Sequence, residues 1–193
     1  GVPGAFMSMI GNTLLNEIVN QNRNFDPARI LEALHIEIRL ALRQSQEEGQ
    51  ANDDGMDIGL IKLEKAKQGE AFKLTFAGAK RHLWYIEPAS QELIRIKGDR
   101  KSIGGVQKEQ HRNFTNTELE LVKDTVIYLS TDGLVDQGNP ERKKFGTTRL
   151  SNLLLKNAKL SLVEQMQIIE NDLDEFQQDA EQRDDITLIG LKI

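Results

Sequence analysis

The spacing of apolar residues changes twice along this chain, and those changes constrain the fold more than any motif does. Phe6, Met9, Ile10, Thr13, Leu14 and Ile18 recur at intervals of three and four, the signature of an amphipathic helix. Pro3 suits a first helical turn, where its missing N–H costs nothing. The run Asn20–Asn24 ends the pattern. Asp26-Pro27 reads as an N-cap followed by a first-turn proline, and Leu31, Leu34, Ile38, Ala41 and Leu42 give the second helix its buried stripe. After the polar stretch 50–55 the period becomes two. Strands are expected over 56–63, 72–76, 82–86, 93–96, 114–121 and 125–130, with 97–110 as a loop. The helical period then returns. Thr147 or Thr148 is expected to cap a short helix through Leu150, Leu153 and Leu154. Ser161 and Glu164 form a capping box for a helix with the stripe Leu162, Met166, Ile169, Leu173 and Phe176. A last strand is expected over 186–193. Such runs of one element type favour an α+β fold, helices layered on an antiparallel meander, over alternating βαβ units.

Bulk properties exclude several functions. The chain has 193 residues, enough for one domain with a sizeable core. Its formal charge of −5 argues against nucleic acid as the main partner. With no cysteine, thiolate nucleophiles, disulfides and cysteine-based zinc sites are ruled out. No apolar run reaches the roughly 20 residues that span a bilayer, so no membrane contact is expected of this segment. The start at Gly1, straight into a helix, suggests a piece of a longer protein.

Two acidic sites carry candidate chemistry. The strand 125–130 delivers Asp132 to its end, followed at once by Gly133. Asp184 and Asp185 stand just before the terminal strand. Carboxylates at strand ends rest on rigid supports and face one rim, which suits hard cations such as Mg²⁺ or Mn²⁺. Asp-Gly after a strand is most often a turn, and Asp before a strand is often a cap or a solvated charge. His35, His82 and His111 lack zinc-ligand spacing. Ser8 has no nucleophile-elbow context. Lys143-Lys144 and Arg100-Lys101 read as solvated surface rather than nucleic-acid contacts.

Several of these pieces resemble one family. Residues 1–11, Gly-Val-Pro-Gly-Ala-Phe-Met-Ser-Met-Ile-Gly, are similar to a helix of the SpoIIE-like phosphatases, the bacterial branch of the metal-dependent (PPM) serine/threonine phosphatases. Ser130-Thr131-Asp132-Gly133-Leu134 resembles that family's second motif, and Arg183-Asp184-Asp185-Ile186-Thr187-Leu188 its last. Met56-Asp57-Ile58, Phe76-Ala77-Gly78-Ala79, Ser102-Ile103-Gly104-Gly105 and Phe145-Gly146 fall in the same order. Ala79 stands where many relatives have His, and Ser102 where many have Pro.

The resemblance implies an antiparallel β-sandwich flanked by helices, one domain over residues 1–193, with the fold's N-terminal strands absent from this chain. It implies hydrolysis of phosphoserine or phosphothreonine on a protein at a two-metal Mg²⁺ or Mn²⁺ site, with Asp132 and Asp184 as metal ligands and catalytic residues. Asp185 and Thr187 would support the strand, and Gly133 would allow a tight turn beside the metal. The family's bridging Asp belongs to an Asp-x-x-Gly-His-Gly motif that ends at Gly1, so this piece alone is expected to be inactive. The expected setting is a cytoplasmic output domain of a bacterial signalling protein, in some cases membrane-anchored. Its substrate would be a phosphorylated regulator of the anti-sigma-factor-antagonist type, and a homodimer is allowed. The rival reading is a catalytically dead phosphoprotein-binding or dimerisation module.

Overall fold

The computed structural model describes residues 2–44, 53–65, 71–90, 92–105 and 111–193. The chain divides into two compact units. The first comprises Gly1–Lys65, Lys73–Arg81 and Lys97–Glu120, and the second Ala66–Phe72, His82–Ile96 and Leu121–Ile193.

The first unit opens with α1 (Val2–Asn16), which passes into a π-helical turn (Glu17–Gln21) before α2 (Pro27–Ala41). The expected caps of α2 are present. The Asp26 carboxylate accepts the Arg29 backbone N–H at 3.0 Å, and Pro27 stands at the first turn. Asn116 Nδ2 also donates to both Asp26 oxygens, at 2.9 and 3.0 Å, which ties the cap to a residue ninety positions on. The backbone N–H of Arg29 is the main reason the Asp26 carboxyl sits below its ordinary pKa. Leu31, Leu34 and Ile38 are fully buried with Ile18, Ala77, Ala79 and Ile103 in one core.

The expected strand over 56–63 is interrupted at Asp57. It becomes β1 (Gly55–Met56) and β2 (Ile58–Lys65). β3 (Phe72–Ala79) is buried from Leu74 through Ala79, so the alternation in its sequence does not mark an exposed face. Ile103–Gly104, within the expected loop, forms the short strand β6 and pairs antiparallel with β1. Residues 106–110 of that loop lie outside the described residues. β7 begins at Thr117 and runs to Leu121. Phe114, expected within that strand, instead donates its N–H to the Glu32 carboxylate at 3.1 Å.

In the second unit β4 (Leu83–Ile86), β5 (Ile94–Ile96), β8 (Val126–Ser130) and β9 (Leu188–Lys192) form a sheet of order β5-β4-β8-β9, antiparallel throughout. Among the described residues the expected simple meander is thus replaced by three sheets with crossovers, because β8 pairs with β4 across a long sequence gap. Behind this sheet lie α4 (Thr147–Asn157) and α5 (Leu162–Gln177), whose Leu150, Leu154 and Ile169 share a core with Trp84, Val126 and Tyr128. The capping box of α5 is complete. The cap of α4 is not a threonine: Gly146 holds that place at φ +84, a left-handed conformation that favours glycine. Arg149 stacks on Phe145 and Phe176 and pairs with Asp172 at 2.6 Å, which fastens α4 to α5. Tyr128, in the middle of β8, donates its hydroxyl to Gln165 at 2.6 Å. Burial pushes its pKa up to about 12.

Candidate functional site

Both predicted carboxylates lie in the second unit, at the rim where β8 ends and β9 begins. Ser130 is registered opposite Leu188, so the antiparallel pair carries the residues after β8 alongside those before β9. Beyond the ladder the two segments stay stitched. Thr131 N–H donates to the Thr187 carbonyl at 3.0 Å, and Thr187 N–H donates back to the Thr131 hydroxyl at 3.0 Å. The same hydroxyl donates to the Asp185 carbonyl at 3.0 Å.

Asp132 follows as the residue that opens a short helix, α3 (Gly133–Asp136), where the sequence suggested a plain turn. Its carbonyl accepts the Asp136 N–H at 2.8 Å. Gly133 is buried against the opposite segment. A Cβ there would lie 2.4 Å from the Asp185 carbonyl oxygen and 2.9 Å from its carbon, closer than any side chain tolerates. The segments of Asp132 and Asp184 therefore approach backbone to backbone, and glycine at 133 is what permits it. Asp184 is exposed, and one of its oxygens accepts the Asp185 N–H at 2.8 Å. Asp185 is exposed as well.

The candidate donors Asp132 and Asp184 are carboxylate oxygens, the donor type that hard divalent cations take. Mg²⁺ is commonly held by one or two carboxylates, with water and substrate phosphate completing its shell. Among the described residues no three His, Cys, Asp or Glu side chains gather as a ligand cluster.

A second carboxylate, Asp57 in the first unit, is placed very differently. Ser102 Oγ donates to its Oδ1 at 2.6 Å, and Arg81 and Lys80 approach at 3.5 and 3.9 Å. Arg112 in turn donates to the Ser102 carbonyl. Asp57 and Ser102 stand 45 positions apart, and nothing in their local sequence signals that they meet. His35 is fully buried and its Nδ1 accepts the Gly104 N–H at 3.1 Å, a role in the core. His82 packs edge-on against Trp84.

Comparison with known families now decides the assignment. The profile described as Stage II sporulation protein E (SpoIIE) matches residues 1–193. The chain belongs to the SpoIIE family. Its structure is similar to the SiaA-PP2C domain of Pseudomonas aeruginosa, with a TM-score of 0.78 and 31% identity, covering 100% of this chain and 71% of that one. It also shares its fold with the RsbU and RsbW domains of a Mycobacterium tuberculosis protein, at 0.65 and 16%, covering 100% of this chain and 48% of that one. The catalytic domain of the serine/threonine phosphatase PstP, solved with two manganese ions, matches at 0.52 and 16%, covering 95% of this chain and 78% of that one. No curated protein sequence matches. The SpoIIE-family chain thus has the PP2C-type phosphatase fold, mixed helix and antiparallel sheet, as its motifs implied.

Proposed function

We propose that this chain is catalytic domain material of a Mg²⁺- or Mn²⁺-dependent phosphatase acting on phosphoserine or phosphothreonine in a protein. The observation that carries the reading is the backbone contact between Thr131–Gly133 and Asp185–Thr187. It brings the two acidic motifs of the family to one rim on rigid strand ends.

Asp132 and Asp184 would hold the cations. Bound divalent metals supply a water acidic enough to act as nucleophile near neutral pH and offset charge on the phosphoryl oxygens. The chain's own task is positional. Thr131 spends its hydroxyl on the Asp185 carbonyl and the Thr187 N–H, which fixes the distance between the two acidic segments. Gly133 removes the side chain that would force them apart. Asp185 contributes its backbone to this contact, which supports a role beneath the site rather than in it. Because water is the attacking group, no protein nucleophile is required, in keeping with a chain that has no cysteine.

The same reading makes the protein a cytoplasmic signalling output domain whose substrate is a phosphorylated regulator of the anti-sigma-factor-antagonist type. The shared fold with RsbU and RsbW domains supports that class. No helix among the described residues is long and apolar enough to cross a membrane. The test is hydrolysis of a phosphoserine protein by the full-length protein with Mn²⁺. Asp132→Asn and Asp184→Asn should each abolish turnover, and undiminished activity in either variant would overturn the assignment.

A further inference from the structure

The second unit carries a feature that metal chemistry does not use. Between α3 and α4 the chain makes a short hairpin, Asn139-Pro140-Glu141-Arg142-Lys143-Lys144, closed by an antiparallel bridge between Gly138 and Lys144. In a chain of net charge −5, this tip gathers three cations against one anion. We propose that it selects substrates by binding acidic residues that flank the phosphorylated serine or threonine. The proposal rests on the phosphatase reading above.

Its placement is the first argument. The foot of the hairpin is tied to both acidic segments of the rim. On one side, α3 leads directly from Asp132, with Asp136 N–H on the Asp132 carbonyl at 2.8 Å. On the other, buried Gln137 donates its Nε2 to the carbonyl of Glu181, shortly before Asp184, at 3.3 Å. Phe145 N–H returns to the Gln137 carbonyl at 2.8 Å and Gly146 N–H to the Val135 carbonyl at 2.9 Å, which closes the base. A group on this tip therefore keeps a set position relative to the two acidic segments.

Its order is the second. Asn139 accepts the Arg142 N–H on its carbonyl at 2.8 Å and the Lys143 N–H on its side chain at 2.9 Å. Arg142 holds φ +62 as a result. The cations are thus presented on an organised turn, which lowers the ordering cost of binding.

Their chemistry is the third. Arg142, Lys143 and Lys144 are all exposed. Lys143 pairs with Glu141 at 2.7 Å and Lys144 with Asp136 at 2.9 Å. Exposed pairs of this kind contribute little, so they exchange readily for a carboxylate of a partner. The Arg142 guanidinium has the planar fork that matches a carboxylate with two hydrogen bonds. An Asp or Glu beside the phosphoserine would find a partner in these exposed cations that Asn would not.

The experiment uses the full-length protein with Mn²⁺ and two phosphoserine peptides that differ only in carrying Asp or Asn around the phosphoserine. The expected result is a kcat/KM ratio favouring the acidic peptide by about tenfold at low ionic strength, shrinking as salt rises. Arg142→Gln with Lys143→Gln should bring the ratio to about one, Arg142→Glu with Lys143→Glu should invert it, and Arg142→Lys should restore part of it. Equal handling of the two peptides by the unmodified protein, or an unchanged ratio in the glutamine variant, would overturn the proposal. Hydrolysis of p-nitrophenyl phosphate separates the two readings. If it occurs and requires Asp132 while the peptides are handled alike, only the hairpin proposal falls. If it does not occur, both fall.

Discussion

Asp57 in the first unit and the Asp132–Asp184 rim in the second are both acidic sites at strand ends, yet their surroundings differ in kind. Asp57 is held by side chains: the Ser102 hydroxyl at 2.6 Å, with Arg81 and Lys80 beyond. Such a carboxylate has its charge compensated from within and serves to fasten β1, β3 and the Ser102 segment. The rim is held by backbone. Thr131 N–H meets the Thr187 carbonyl, the Thr131 hydroxyl bridges the Asp185 carbonyl and the Thr187 N–H, and Gly133 lies against the Asp185 backbone, while Asp184 remains exposed and accepts its own following N–H. The lesson is that two acidic sites at strand ends differ in what holds them, side chains at Asp57 and a stitched pair of backbone segments at the rim.

That contrast can be broken most sharply at the rim. Replacing Asp132 or Asp184 with Asn should cost at least about 100-fold in Mn²⁺-dependent turnover, since even outer-shell losses at metal sites cost 10–100-fold. Thermal melting should change little, because neither side chain is buried. Equivalent melting losses would place these residues with Asp57 instead. Gly133→Ala should damage structure as well as activity. Its Cβ has no room before the Asp185 carbonyl, so a loss of about 1–3 kcal/mol is expected in denaturant unfolding, with loss of activity besides.

Asp57 should answer in the opposite sense. Ser102→Ala removes a charge-assisted hydrogen bond, and a cost of about 1.5–3 kcal/mol is expected in chemical denaturation. Ser102→Pro should lose the same bond. Turnover of p-nitrophenyl phosphate by the Ser102→Ala protein, measured well below its melting temperature, should stay close to that of the unmodified protein.

The smallest effect concerns Asp26, a carboxylate held partly by backbone and partly by Asn116. Its carboxyl lies below the ordinary value of 3.8, chiefly through the Arg29 N–H. A lowered folded pKa binds fewer protons than the unfolded chain, so the stabilisation is fully present above 3.8 and is lost as pH falls through the folded value. Asp26→Ala should cost about 1 kcal/mol at neutral pH, and the difference from the unmodified protein should narrow below pH 4 in acid titrations of unfolding.

Legibility followed sequence distance. The Asp26 and Ser161 caps were readable because both partners lie within one helical turn. The cap of α4 was misread because a left-handed glycine leaves no side-chain signature beyond its identity. Asp57 split an expected strand, and Ile103–Gly104 turned an expected loop into one, because a strand as short as β1 or β6 exists only through its distant partner. Asp132 and Asp184 stand out within their own motifs, but their nearness is in neither. It required the β8–β9 register, set by a pairing across more than fifty residues.

What the sequence determined by itself is the α+β order of elements, the local caps and, through an ordered set of motifs, membership of the SpoIIE family. These depend on periodicity, on neighbouring residues and on pattern along the chain. What only the tertiary structure decided is that Asp57 is satisfied by side chains from distant segments, while Asp184 stays exposed beside the Asp132 segment. It also decided that a basic hairpin is rooted on the segments of the acidic rim. Those distinctions arise from long-range hydrogen bonds and from the lack of room for one Cβ at Gly133, which no local pattern encodes.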